Sequence, residues 1–178
     1  MNPNFDSKQL KTTLSARWVV FLYCYNYYMD NCPICNLINN PGEKDVIILE
    51  NEYWRVTLNP NQKQLGRCYV TLRRHVESLA GLNTEEWLSF NGLCKKLEEK
   101  IKSSFDPTHF NWSCLMNNAV RDSQSTHVHW HLVPRYRQRI KLLEKEFTDS
   151  DWPDKYTSSP PNVINIDILS QTRDKILQ

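Results

Sequence analysis

The stretch His127-Val128-His129-Trp130-His131 alternates imidazoles with apolar side chains, and this constrains the fold more than any other part of the chain. In a strand, residues i, i+2 and i+4 share a face. A period of two therefore sets three imidazoles on one side, while Val128, Trp130, Leu132 and Val133 supply a core side. Neighbouring histidines in such a row stand roughly 6 to 7 Å apart at a rise of about 3.3 Å per residue. A single histidine on a strand face is usually solvated and idle. Three in alternation, out of five in the whole chain, point to a substrate or a metal.

The 178 residues suit one compact domain, and no internal repeat or low-complexity tract interrupts them. A net charge of +2 with mixed signs argues against an electrostatic nucleic-acid binder, so no stable nucleic-acid complex is expected. A local basic set (Arg67, Arg73, Arg74, Arg121, Arg135, Arg137, Arg139) is still suited to meeting phosphates, although scattered solvated arginines read the same way. Of the six cysteines, Cys68, Cys94 and Cys114 fall inside apolar periodic segments, where thiols pack as small hydrophobes. The apolar run at 18–28 is too short to span a bilayer, which takes about 20 residues, and it lacks a small-residue cleavage site. A reduced, cytoplasmic protein without a membrane segment is the expectation.

Along the chain, residues 1–28 are polar and then aromatic without a pairing pattern. They read as an N-terminal extension, with Met29 as a candidate native start. A domain over 29–136 follows, and 137–178 reads as a C-terminal extension packing on it. Strands are expected at 45–50 and 52–58 about a tight connection at Asn51, then at 68–72, 110–116 and 127–134, with a helical turn at 75–82. Asn83 with Glu86 forms an Asn-x-x-Glu capping box. It precedes a stripe of Trp87, Phe90, Cys94, Leu97, Ile101 and Phe105 at spacings of three and four, the main helix. A weak terminal helix is expected at 165–177, and Trp152 and Tyr156 are expected in the core, with the lining of a leaving-group pocket as the other reading. Strands with few, separated helices indicate an α+β fold with a mainly antiparallel sheet.

Two constellations carry chemistry. Cys32-Pro33-Ile34-Cys35 is a Cys-x-x-Cys knuckle that suits two zinc ligands, with structural thiols and a redox pair as the other readings. Two more zinc ligands would have to come from His75, His109 or the strand histidines. The alternating histidines themselves suit either a metal-bound water or direct nucleophilic attack. The adjoining Asn117, Asn118, Gln124, Ser125 and Thr126 are neutral donors matched to phosphate oxygens, which favours phosphorus chemistry: one imidazole attacks phosphorus while its neighbours orient it and assist the leaving group.

With Leu132-Val133 added, the row His127-Val128-His129-Trp130-His131 resembles the signature of the histidine triad (HIT) superfamily at every position, and Pro134-Arg135 continues it. The resemblance covers roughly residues 30–136. It implies a HIT-like, five-stranded, mainly antiparallel sheet with one long and one or two short helices, and usually a homodimer. It further implies hydrolysis or transfer at a nucleoside phosphate through a nucleotidyl-histidine, on dinucleoside polyphosphates or nucleoside phosphoramidates; a nucleotide-binding protein with little turnover is the alternative. Carried over, His129 is the nucleophile and His131 contacts phosphate and assists the leaving group. Asn59 meets ribose hydroxyls, and Asn117 and Gln124 hold phosphate. The stretch Ser123-Gln124-Ser125-Thr126-His127 departs from the family pattern by being one residue shorter and lacking glycine, so Ser123 or Ser125 is a candidate to replace Gln124. Members with an early Cys-x-x-Cys further imply a structural zinc on Cys32, Cys35, His75 and His127.

Overall fold

The computed structural model describes residues 32–155 and 161–178, so the extension 1–28 and Tyr156 lie outside the described residues. Five strands, β1 (Ile47–Glu50), β2 (Trp54–Leu58), β3 (Cys68–Leu72), β4 (His109–Ser113) and β5 (His129–Arg135), make one antiparallel sheet in the order β1-β2-β3-β5-β4. Asn51 turns β1 into β2 as expected, its Oδ1 accepting the N–H groups of Tyr53 and Trp54 at 2.9 and 2.8 Å. His127 and Val128 continue β5 backwards along β3, since Leu72 N–H donates to the Val128 carbonyl at 3.1 Å.

The register sorts the two faces. Cys68 pairs with Leu132 and Val70 with Trp130, while Tyr69 pairs with His131 and Thr71 with His129. Trp54, Val56, Cys68, Val70, Leu72, Val128 and Leu132 are fully buried or nearly so on the core side. The opposite side presents the histidines together with Tyr69, Thr71, Thr57 and Arg55. A one-residue slip would exchange these sets, so burial of the core side fixes the position of the imidazoles.

The core side is covered by α2 (Thr84–Phe105), which follows α1 (Pro33–Asn39) in the chain. The capping box forms in full: Asn83 Oδ1 accepts Glu86 N–H and Glu86 Oε2 accepts Asn83 N–H, both at 2.8 Å. The buried stripe is Glu86, Leu93, Leu97, Ile101 and Phe105, with Phe90 packed beside it. It differs from the expected stripe in its middle, where Leu93 rather than Cys94 is buried. It differs also at its start, where Trp87 is 39% exposed and Glu86 is buried. Arg74 is the reason: its guanidinium grips the Glu86 carboxylate with Nε and Nη2, which lets a charge lie on the inner face. Gly66, at φ +83°, brings the β2–β3 loop against α2, where an added Cβ would stand 3.4 Å from Ile101 Cγ2.

The described residues after Tyr136 pack back on the domain. A hairpin, β6 (Ile140–Leu142) with β7 (Lys145–Phe147), leads to Asp149, whose carboxylate takes Arg135 Nε at 2.5 Å with both side chains buried. Trp152 lies half-buried, 5.3 Å from the ring of His109 and 5.8 Å from the Arg135 guanidinium carbon. The bridge Asn61–Val163 ties the chain to the β2–β3 loop. Helix α4 (Ile166–Leu177), capped by Asn165, buries Leu169, Thr172 and Ile176 and packs against α2 and β1. Between β4 and β5 lies a short helix, α3 (Asn117–Arg121), in a segment that reads from sequence as a polar loop. Among the described residues no helix is long and apolar enough to cross a membrane, and no disulfide joins the described cysteines.

Candidate active site and metal centre

Pro33 occupies the first turn of α1, where its fixed φ suits a helix start and its missing N–H costs nothing. The resulting turn folds Cys35 back over Cys32, whose Sγ accepts the Cys35 N–H at 3.4 Å. Both sulfurs then face His127, whose Nδ1 lies 3.4 Å from each, and His75 Nδ1 lies 3.3 Å from Cys35 Sγ. The four ligand atoms of Cys32, Cys35, His75 and His127 lie within 4.8 Å of one another.

The His127 tautomer follows from its other nitrogen. Nε2 sits 2.7 Å from the Leu72 carbonyl, which can only accept, so Nε2 carries the proton and the Nδ1 lone pair points at the sulfurs. Burial lowers the His127 pKa to about 4, which keeps the ring in the neutral form that coordinates metal. Burial, reinforced by Cys32, pushes the Cys35 thiol up to about 12, a state that a divalent cation would reverse by displacing the proton. A tetrahedral zinc with S and N ligands needs sulfur–nitrogen separations of about 3.5 Å, close to those present. The donor set and its spacing therefore fit a zinc ion.

His129 uses the same device with the nitrogens exchanged. Its Nδ1 donates to the His127 carbonyl at 2.8 Å, which leaves the Nε2 lone pair for chemistry. Burial holds its pKa below the ordinary value, so the ring is neutral and nucleophilic at pH 7. The ring of His131 sits 5.0 Å from those of both His129 and Tyr69, and among the described residues its buried Nε2 has no hydrogen-bond partner. Burial, then the neighbouring His129 and Arg67 charges, push the His131 pKa to about 4.

His129 stands between two clefts. One, of about 560 Å³, has an apolar wall of Ile34, Leu37 and Ile38 from α1, faced by Arg55, Thr57 and Thr71 of the sheet. The other, of about 860 Å³, is lined by His127, His129 and His131 together with Arg67, Asn117 and Asn118. Tyr69 and Ile34 border both.

The structure thus brings His129, His131 and Asn117 to one cleft and gathers the four proposed metal ligands, of which His127 also lines that cleft. It does not bring three other expected residues there. Asn59 lines neither cleft: it is 5% exposed and its Oδ1 is engaged by the Asn61 N–H at 2.9 Å, holding the turn after β2. Gln124 is exposed and, like Ser125, lines neither cleft. Ser123 at φ 54° turns the chain away from α3, and Gln124 N–H is bonded back to the Ala119 carbonyl at 2.8 Å. Conversely, Tyr69, Arg55 and the α1 wall are not apparent as site residues in the sequence, and Arg67 is there only one of a diffuse basic set. Tyr69 and Thr71 alternate on β3 as the histidines do on β5, but only the register shows that the two rows face one another.

Residues 40–138 match the family model described as the HIT domain. The chain belongs to the HIT family. It is 30% identical over 126 residues to an uncharacterised HIT-like protein of Methanocaldococcus jannaschii, a match covering 67% of this chain and 93% of that one. A zinc-bound histidine triad family protein from Mycobacterium smegmatis superimposes with a TM-score of 0.55 at 14% identity, covering 84% of this chain and 92% of that one. Plasmodium falciparum diadenosine triphosphate hydrolase does so with a TM-score of 0.51 at 18% identity, covering 76% of each chain. At these identities the two structures speak for a common fold. HIT proteins are generally hydrolases or transferases, and the cluster of Cys32, Cys35, His75 and His127 has a donor set that could hold a metal ion.

Proposed function

We propose that this HIT protein is a nucleotide hydrolase or nucleotidyltransferase that acts on dinucleoside polyphosphates or nucleoside phosphoramidates. The observation that carries the reading is the His129 Nδ1–H bond to the His127 carbonyl, which leaves Nε2 as a neutral nucleophile where two clefts meet. In this mechanism the nucleoside lies in the apolar cleft and the α-phosphate sits beside His129. Nε2 attacks phosphorus, and the bond to the leaving group breaks with its electron pair departing on that group. The nucleotidyl-His129 adduct is then hydrolysed by water, or passed to another acceptor, which frees the nucleotide and restores the imidazole. Asn117 and Asn118 donate to the equatorial oxygens, and His131 Nε2 faces phosphate.

Cys32, Cys35, His75 and His127 would hold a structural zinc, which when bound supplies a fixed cross-link rather than an activated water. Its effect on the reaction is positional: His127 offers the carbonyl that fixes the His129 tautomer, and α1 carries the nucleoside wall. The hydrolase neighbour from P. falciparum supports the polyphosphate branch, and the zinc-bound neighbour from M. smegmatis supports the metal. A homodimer in the cytoplasm is the proposed setting, carried from the family resemblance and the reading of the cysteines.

The test is His129→Ala with both substrate classes. Loss of turnover with an unchanged melting temperature supports the mechanism; full activity defeats it. The position of Gln124 outside the clefts favours a second reading, a nucleotide binder with little turnover. Calorimetry with AMP and GMP beside turnover assays separates the two, since binding without turnover favours the second.

A further inference from the structure

The His131 cleft holds one permanently charged lining residue among those described, Arg67. Its place in the fold is fixed by its backbone: the carbonyl accepts Asn59 N–H at 3.0 Å and Gln62 Nε2 at 2.8 Å, and its N–H donates to the Gln64 carbonyl at 3.0 Å. It lies two residues before Tyr69, which is paired with His131, so strand alternation brings it to the histidine face. The proximity is also felt electrostatically, as the Arg67 charge is among the causes that disfavour a proton on His131.

The apolar cleft on the other side of His129 carries charge of both signs, Asp45 and Arg55. There Arg55 pairs with Glu50 at 2.9 and 3.0 Å and donates to the Ile38 carbonyl at 2.9 Å, and the Asp45 carboxylate in the same lining disfavours a second phosphate on that side. A substrate with its nucleoside in the apolar cleft therefore projects its leaving group toward Arg67. A leaving phosphate gains negative charge as its bond to the α-phosphorus breaks, and a guanidinium is the side chain suited to holding phosphate oxygens in a bidentate grip. A departing amine gains no such charge and meets a cation it does not need.

We propose that Arg67 is a specificity-determining residue that selects substrates whose leaving group begins with a phosphate, nucleoside polyphosphates, over those that release an amine. The inference rests on the mechanism proposed above and narrows its substrate class. In the reaction, the bond between the α-phosphorus and its bridging oxygen breaks, that oxygen leaves with the electron pair on the departing phosphate, and Arg67 pairs with the charge that results.

The experiment compares Arg67→Gln and Arg67→Lys with the parent protein, using diadenosine triphosphate and an adenosine phosphoramidate as substrates. The ratio of kcat/KM for the polyphosphate over the phosphoramidate is expected to fall roughly 10- to 100-fold in Arg67→Gln, the range of one charge-assisted hydrogen bond, and to recover in part in Arg67→Lys. An unchanged ratio overturns the proposal. A readout independent of turnover is the preference for ADP over AMP in calorimetry, which is expected to shrink by a similar factor in Arg67→Gln. If the parent turns over neither substrate, the mechanism above fails while the ADP preference still decides the role of Arg67; an equal loss of both nucleotides sinks it.

Discussion

The first two histidines of the row illustrate how one residue type is given two jobs by its hydrogen bonds. His127 donates Nε2–H to Leu72 and turns Nδ1 to the sulfurs; His129 donates Nδ1–H to His127 and turns Nε2 to the clefts. Both are neutral because both are withdrawn from water, and both are held by a backbone carbonyl. Only the choice of nitrogen differs, and it sends one ring toward a metal cluster and the other toward substrate. The difference teaches that neither spacing nor pKa separates the two roles; the second-sphere carbonyl does.

The sharpest way to break this division is to truncate each ring in turn. His129→Ala is expected to lower turnover by roughly 10⁴-fold or more, as for loss of a covalent nucleophile, with nucleotide binding and melting temperature retained. Steady-state kinetics beside calorimetry checks this, and a loss of binding as large as the loss of rate would speak against it. Cys35→Ser, at the other end, is expected to abolish stoichiometric zinc in elemental analysis and to lower the melting temperature by several degrees. Nucleoside affinity should weaken with it, because α1 is both knuckle and cleft wall. A zinc-free variant with unaltered stability would remove the metal from the account.

Removing either Arg135 or Asp149 tests whether the C-terminal segment belongs to the fold alone. The pair is buried on both sides, so losing one partner leaves an uncompensated charge and is expected to cost about 3–5 kcal/mol in denaturant unfolding. Turnover per folded molecule should hold. The effect of pH is smaller and has a definite sign. His131 is pushed from 6.5 to about 4 by burial, so below pH 6.5 the unfolded chain takes up a proton that the folded chain refuses. Its contribution to stability is therefore present above pH 6.5 and is progressively lost as pH falls toward 4. Thermal melts from pH 7.5 to 4 on the parent and His131→Asn should show a shallower slope in the variant. The mildest contrast lies in the phosphate loop: Asn117→Ala should cost roughly tenfold or more in kcat/KM, and Gln124→Ala less than about threefold, because only the first lines the cleft.

Much of this architecture was legible because its signals are local. The alternation at 127–133, the turn at Asn51 and the capping box at Asn83 are short-range patterns with one physical reading each, and the structure contains all three. The quartet Cys32, Cys35, His75 and His127 came through the family resemblance, since nothing in the spacing alone joins residues so far apart. What escaped depends on long-range pairing. Glu86 displaces Trp87 from the inner stripe only because Arg74 reaches it, and Arg135 is buried only because Asp149 returns from beyond β7. Asn59 falls where the family pattern expects it and Gln124 keeps the expected separation from Asn117 in a stretch one residue short, yet the first is committed to a turn and the second is carried outward by Ser123. Tyr69 and Arg67 needed the β3–β5 register to be recognised as neighbours of the histidines.

The central claim is that His129 Nε2, and neither flanking histidine, forms a covalent bond to phosphorus. Rapid quench of the parent protein with a labelled adenosine polyphosphate, followed by peptide mapping, addresses it directly. The account predicts an acid-labile adenylyl group on His129 alone, absent from His129→Ala. Label on His127 or His131, or turnover in which no protein-bound adenylate ever accumulates or can be trapped, would contradict it.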